Sequence, residues 1–339
     1  MKKSLIIALG AIALVACTKT SVSYEQTGEI GFAPVVRKNS TKAAVVGATF
    51  PEQNIKVFGY YDNSMPVGSS YSGDKFAVEY LPGVEFAKNG AIWAGANNNH
   101  YYWPKTGSML FAGYSPVDFG INKVTFSLAG NKFSVAELDQ PEFSDTKDLL
   151  YAGYTTSVLG RTVDMVFSHA LSWVTVKASA AAANQIKITK IKFVGLAAKG
   201  SSDGLPLWTT TGTKKITVFA PASAFAVPAG TTGTTGTLVE SNPDCGLVFP
   251  QILTDAAAIE VSYEMNNGAN QWFAQAPFVQ KLNLLKSGAD TINKWEAGKH
   301  YTYIIKFSAI EGPDSSNEIT IAPTVNDWKP VNADGISAN

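Results

Sequence analysis

Arginine is almost absent from this chain. Only Arg37 and Arg161 occur among its 339 residues, so paired guanidinium forks gripping phosphate are not a theme of its surface. There is no surplus of positive charge either, since 27 Lys and Arg face 27 Asp and Glu. A broad electrostatic binder of nucleic acid is excluded, because nothing is left over to neutralise phosphates. Charge is scarce altogether, at 16% against roughly 25% in typical soluble domains. Two cysteines and three histidines (His100, His169 and His300) leave little for a metal site or a disulfide framework. No phosphate loop ending in GK[ST] is present, and no HExxH or CxxC. The expected catalytic residues, metal and cofactor are therefore none. What the chain does have is 45% hydrophobic residues, 11% aromatics, 29 Gly and 16 Pro. That excludes wholesale disorder and supplies both cores and turns.

No apolar run reaches the roughly 18–20 residues that span a bilayer. The longest, Leu5 to Ala16, follows the basic Met1-Lys2-Lys3 and has the layout of a signal peptide. It ends Leu14-Val15-Ala16-Cys17, which resembles a bacterial lipobox: a branched residue, then a small one before a thiol that can be acylated. Residues 1–16 are read as a lipoprotein signal and Cys17 as the lipidation site. Cys245 then remains as a single thiol in the turn-like Asn242-Pro243-Asp244-Cys245-Gly246, with no His near it in sequence, and is read as structural.

The body of the chain reads as all-β. Ile259, Val261, Tyr263 and Met265 alternate with Glu260, Ser262 and Glu264; Tyr301, Tyr303, Ile305 and Phe307 alternate with Thr302, Ile304 and Lys306. Period two marks half-buried strands. In Ile186–Gly195 the apolar phase slips between Ile188 and Ile191, which predicts a bulge. Further strands are expected at Ile30–Val36, Lys56–Tyr61, Lys123–Leu128, Leu149–Thr155, Leu171–Ala178, Lys215–Phe219 and Trp272–Leu282. Ala178–Asn184 is compatible with a short helix. The length suggests two domains, with β-sandwiches the expected architecture. The boundary is placed near Ser157–Gly160, giving residues 17–158 and 159–328. Thr231–Thr237 is a polar low-complexity loop, and 329–339 a loose tail.

Chemistry-bearing clusters are few. His169, in Phe167-Ser168-His169-Ala170, reads as a structural histidine beside a strand. The run His100-Tyr101-Tyr102-Trp103 leaves two readings open: an aromatic platform for a sugar, or core packing, which is the commoner role of such clusters.

Phrases spread over the mature chain resemble the fimbrillin-type subunits of lipoprotein-derived type V pili. They are Ile30-Gly31-Phe32 followed by Thr41-Lys42-Ala43; Phe111-Ala112-Gly113-Tyr114-Ser115-Pro116; Asp148-Leu149-Leu150-Tyr151-Ala152; Phe167-Ser168-His169-Ala170-Leu171; Phe249-Pro250-Gln251; Trp295-Glu296-Ala297-Gly298-Lys299-His300-Tyr301-Thr302-Tyr303; and Val325-Asn326-Asp327-Trp328. The resemblance implies two transthyretin-like β-sandwich domains in tandem and no enzymatic activity. It also implies assembly by strand exchange, in which a protease removes the first strand and a neighbour's C-terminal strand fills the groove.

The residues add their own observation. Ile30-Gly31-Phe32-Ala33-Pro34-Val35-Val36 and Ile319-Thr320-Ile321-Ala322-Pro323-Thr324-Val325 carry Ile, Ala, Pro and Val at the same offsets. Alternate positions of a strand point one way, so Ile30, Phe32, Pro34 and Val36 would fill pockets like those of Ile319, Ile321, Pro323 and Val325. The first set is the expected removable strand and the second the expected donor strand. Proline in each predicts edge strands, where a missing N–H is tolerated. Arg37 directly follows the first of them and precedes the polar Lys38-Asn39-Ser40-Thr41-Lys42, a stretch suited to proteolysis. Cleavage after Arg37 would leave a product beginning at Lys38.

The leading functional reading is a structural subunit of a cell-surface fimbrium, anchored to the outer membrane through Cys17 before processing, with other pilus subunits as partners. The alternatives are a surface glycan-binding lipoprotein using Tyr101–Trp103 and a secreted hydrolase with converging carboxylates. For Cys17 the expectation is direct. Mass spectrometry of the mature N-terminal peptide should show a chain beginning at Cys17 with a lipid-sized increment; an unmodified Cys17 or a different start would contradict it.

Overall fold

The computed structural model describes residues 28–36, 50, 53–62, 76, 78–143, 147–157, 160–230, 236–237, 246–266, 268, 270–308 and 319–327. Cys17, Arg37, Lys38, Cys245 and the tail beyond 327 lie outside them, as does most of the Thr231–Thr237 loop. The regular structure of the described residues is almost entirely strand, with two single-turn 3₁₀ segments, and the sheets pack in a sandwich-like, all-β arrangement. No helix among them is long and apolar enough to cross a membrane.

Seven strands close into a barrel: β1 (Phe32–Val36), β2 (Ile55–Asp62), β3 (Val78–Asn89), β4 (Ile92–Gly95), β5 (Ser108–Ser115), β8 (Leu150–Ser157) and β9 (Val163–His169), in the order β1-β4-β3-β2-β5-β8-β9. Between β5 and β8 lie β6 (Val124–Ser127) and β7 (Lys132–Asp139). The barrel core forms around Phe32, whose ring meets Phe86 at 4.7 Å and Phe111 at 5.2 Å, both edge-on, the geometry that aromatic quadrupoles favour.

Beyond the barrel, two sheets face each other. One joins β10 (Ser172–Ala180) in parallel to the strand Lys299–Phe307, which pairs antiparallel with the last described strand, Ile319–Asp327. The other runs β14 (Lys214–Phe219), β11 (Ile186–Leu196), then Ala258–Asn266. Their inner faces share one core, including Val174, Val176, Ile188, Phe193, Val261, Tyr303 and Ile305. The slip predicted in Ile186–Gly195 is a register shift: Ile188 pairs with Tyr263 and Lys190 with Ser262, so Thr189 is the extra residue. The bulge restores both Ile188 and Ile191 to the core, where each is fully buried.

A four-stranded sheet links the two halves. It runs β13 (Leu207–Thr211), β12 (Lys199–Gly204), β7, β6, so strands from both sides of the expected boundary pair with one another. Beneath it, Tyr114, Phe133 and Val135 pack in one cluster with Leu171, Trp173 and Phe249.

β8 and β9 pair within the barrel, Leu150 with His169, and Ala170 and Leu171, between β9 and β10, are buried in one cluster with Trp173 and Phe249. Two expectations are corrected. Ala178–Asn184 is no helix; β10 continues to Ala180 and a turn follows. Trp272–Leu282 is two strands, Trp272–Ala274 and Phe278–Lys281, separated by Gln275-Ala276-Pro277, since proline interrupts a ladder.

One polar contact inside the sandwich core has a calculable weight. Trp295 Nε1 donates to the Tyr303 hydroxyl at 2.8 Å, and both side chains are buried. Tyr303→Phe leaves that indole N–H without an acceptor, a loss of about 1–3 kcal/mol. The expected outcome is a lower denaturation midpoint with an unchanged slope in urea; unchanged stability would mean that the indole finds another partner.

Candidate functional site

Among the described residues, the closing stave of the barrel, β1, comes from the start of the chain. β1 lies parallel to β9 along its whole length, Phe32↔Val163 through Val36↔Phe167. On its other side it meets β4 at the single pair Phe32↔Trp93. The residues just before it continue that side: Ile30 N–H donates to Tyr101 O at 2.7 Å and Trp103 N–H to Gly28 O at 3.2 Å. β1 is thus not an edge strand, contrary to the expectation from Pro34. The reason proline is tolerated is local. Gly31 O accepts from Val163 N–H at 2.9 Å, so Gly31, Ala33 and Val35 turn their polar groups to β9. By alternation Pro34 turns its nitrogen to the other side, beyond the end of the β4 pairing.

Ile30, Phe32, Pro34 and Val36 are all buried in the barrel, while Glu29 is exposed. The last strand shows the same alternation. Ile321 and Pro323 are buried and Ile319 and Val325 half-buried, packed on the sandwich core; Thr320, Thr324 and Asn326 are exposed. Among the described residues this strand has one sheet neighbour, in a nine-residue register from Phe307↔Ile319 to Lys299↔Asp327. It is an edge strand, pinned at its end by an ion pair between Lys299 Nζ and Asp327 Oδ1 at 2.6 Å. The first and last strands therefore sit in different sheets, each with its apolar face inward, and do not touch as ladder neighbours.

His169 closes β9, with Nδ1 2.7 Å from Asp148 Oδ2; both residues are buried. Ala170 N–H donates to Leu149 O at 2.8 Å, so the Asp148–Ala152 and Phe167–Leu171 phrases are two sides of one contact. Tyr101 and Trp103 point into the barrel, against Phe86 and Phe111, while His100 and Tyr102 point out. The three aromatics of Tyr101–Trp103 consequently form no common platform, because a strand sends neighbours to opposite faces. Among the described residues no group of three or more His, Cys, Asp or Glu side chains is placed to hold a metal ion. A cavity of about 260 Å³ lies between the halves, lined by Phe119, Leu138, Leu171 and Phe249 among others, with the Asp118–Lys147 ion pair in its wall.

His300 stands beside the last strand, paired with Asn326. Its ring lies flat on Trp173, centroids 3.8 Å apart and 12° from parallel, and Nε2 is 2.7 Å from Thr175 Oγ1. Burial, with Lys177 nearby, lowers its pKa from 6.5 to about 4. The folded state thus favours neutral His300. Its contribution is fully present above pH 6.5 and is lost as pH falls toward 4, where the unfolded chain binds the extra proton. Urea titrations of the wild type and His300→Gln should show a shallower acid loss in the variant between those limits; parallel curves would mean that His300 does not titrate this way.

A fimbrillin-like family model matches residues 41–328; the match begins after β1. No curated protein matches the chain. Among solved structures, a proposed cell adhesion protein from Bacteroides uniformis is 16% identical, with a TM-score of 0.50 over 89% of this chain and 98% of its own. Another from Bacteroides ovatus is 15% identical, with a TM-score of 0.53 over 88% and 97%. At these identities the likeness is one of fold.

Proposed function

Because the chain belongs to the fimbrillin-like family, we propose that it is a structural subunit of a cell-surface fimbrium that serves adhesion. In this reading it is exported as an outer-membrane lipoprotein through Cys17, loses its first strand by cleavage after Arg37, and is polymerised by the last strand of a second copy. It carries out no catalytic reaction. The barrel and the facing sheets are its two domains, with the change-over at Ala170–Leu171.

The observation that supports this best is the position of β1. It is the one stave whose removal opens the barrel without cutting any other strand, and it is joined to the rest of the barrel through residues 37–49. Its loss would strip the acceptor from Val163 N–H and the donor from Tyr101 O and uncover the pocket of Phe32. Unmet polar groups of this kind cost about 1–3 kcal/mol each, so an opened barrel has a strong demand for a replacement strand. The last strand offers the same inward spacing. The 11 residues between Phe307 and Ile319 (318 − 307) can span up to about 36–40 Å when extended, which gives the strand room to swing out. Insertion into a second copy is a head-to-tail contact and propagates as an open filament.

Ile321 is then an inward anchor in the next barrel. A lysine there would bury a charge without a partner, which is strongly unfavourable. Ile321→Lys is expected to leave exported monomer, folded by circular dichroism, and to abolish filaments by electron microscopy. Thr320→Lys, on the exposed face, is expected to leave filaments largely intact. N-terminal sequencing of assembled subunits should begin at Lys38. Normal filaments from folded Ile321→Lys protein, or assembled subunits that retain residues 30–36, would overturn the strand-exchange reading.

A further inference from the structure

The likeness between the first and last strands extends one residue beyond their apolar faces. Glu29 precedes Ile30 and Glu318 precedes Ile319, so both segments read Glu-Ile-x-x-Ala-Pro-x-Val. In the first segment this glutamate has a defined partner. Glu29 bridges Tyr102 in antiparallel fashion, and its carboxylate forms an ion pair with His100 Nδ1. His100 stands two residues from Tyr102 on the same outer face, its ring 6.4 Å from the tyrosine ring and 25° from parallel. Glu318 itself lies outside the described residues; the correspondence is one of sequence.

Apolar spacing cannot fix the register of an incoming strand by itself. A slip of two residues returns every side chain to the same face, so Ile319, Ile321 and Val325 could each enter a neighbouring pocket. A charged contact at one position separates these registers. We propose that His100 sets the register of strand insertion, with Glu318 of a second copy replacing Glu29 as its ion-pair partner. This rests on the strand-exchange reading above.

The rest of the groove agrees with that register. Pro323 takes the place of Pro34, whose nitrogen faces the side beyond the β4 pairing. A slip of two residues one way would set Pro323 at Phe32, the position that pairs with Trp93, where a missing N–H costs a ladder bond. On the outer face Thr320 takes the place of Gly31. A Cβ there lies 3.0 Å from Ile92 Cδ1, the free end of an exposed side chain that can turn aside.

The test is the variant His100→Lys, which provides a positively charged amine. In the full-length variant before processing, a carbodiimide should couple the introduced amine to Glu29 within one chain. In filaments it should couple the same amine to Glu318 of the next subunit, giving a covalent ladder on denaturing gels and a 100–318 branched peptide by mass spectrometry. Adding Glu318→Gln should abolish the ladder while filaments persist. If His100→Lys does not assemble, His100→Glu with Glu318→Lys presents the same pair reversed and should give the same junction. Filaments in which the introduced amine couples to another carboxylate, a ladder that survives Glu318→Gln, or failure of both variants while the wild type assembles would overturn the register proposal. Wild-type filaments that keep the Glu29 segment in place would instead overturn the strand-exchange reading itself.

Discussion

The barrel depends on a parallel pairing between the two ends of its own stretch of chain. Among the described residues β1 closes the ring, pairing with β9 along its length and with β4 at Phe32. A parallel pair cannot be made by a hairpin and must wait for everything between its strands. Phe32 fixes the closure because its ring is the point at which Phe86 and Phe111 meet. β9 then runs directly into Ala170–Leu171 and on to β10, so the strand that receives β1 is also the one that leads into the second half. A change at β1 is felt one strand away from the junction.

That junction is built from groups that have no spare surface. All of β5 is buried, with Met109 and Phe111 in the barrel core and Ala112 and Tyr114 in the cluster between the halves. β10 behaves similarly, sending Trp173 to the junction and Val174, Val176 and Ala178 to the sandwich. The polar fastenings lie at the same place. His169 and Asp148 pair there, Trp208 Nε1 donates to Ala170 O at 2.8 Å, and Ser172 Oγ donates to Glu296 O at 2.8 Å.

How much of this was legible in the sequence follows from burial. Strands with one wet face, Ala258–Asn266 and Lys299–Phe307, alternate and were readable, as was the bulge at Thr189. β5 and β9 were missed because SMLFAGYS is buried on both faces and loses its period, and VDMVFSH lies where a boundary was expected. The pairing of β6 and β7 with β12 and β13 has no local signal at all, because partners some 60 residues apart are matched only by the fold. The inward faces of the first and last strands could be read from residue spacing, since alternation is a property of any strand. Their neighbours could not: Pro34 suggested an edge, whereas the structure shows a stave paired with β9 on one side and, at Phe32, with β4 on the other. The partner of the glutamate ahead of the first strand has no signal in the sequence; only the fold brings Glu29 beside His100.

The sheet shared by the two halves has a mechanical consequence. In a chain of subunits joined end to end, bending concentrates wherever the material is softest. Here β7 and β12 bond one half of each subunit to the other along Lys199↔Asp139, Gly200↔Leu138 and Ser202↔Val135, so the interior resists hinging. In the proposed filament, bending would then fall on the junctions between subunits, while each link keeps its shape under tension.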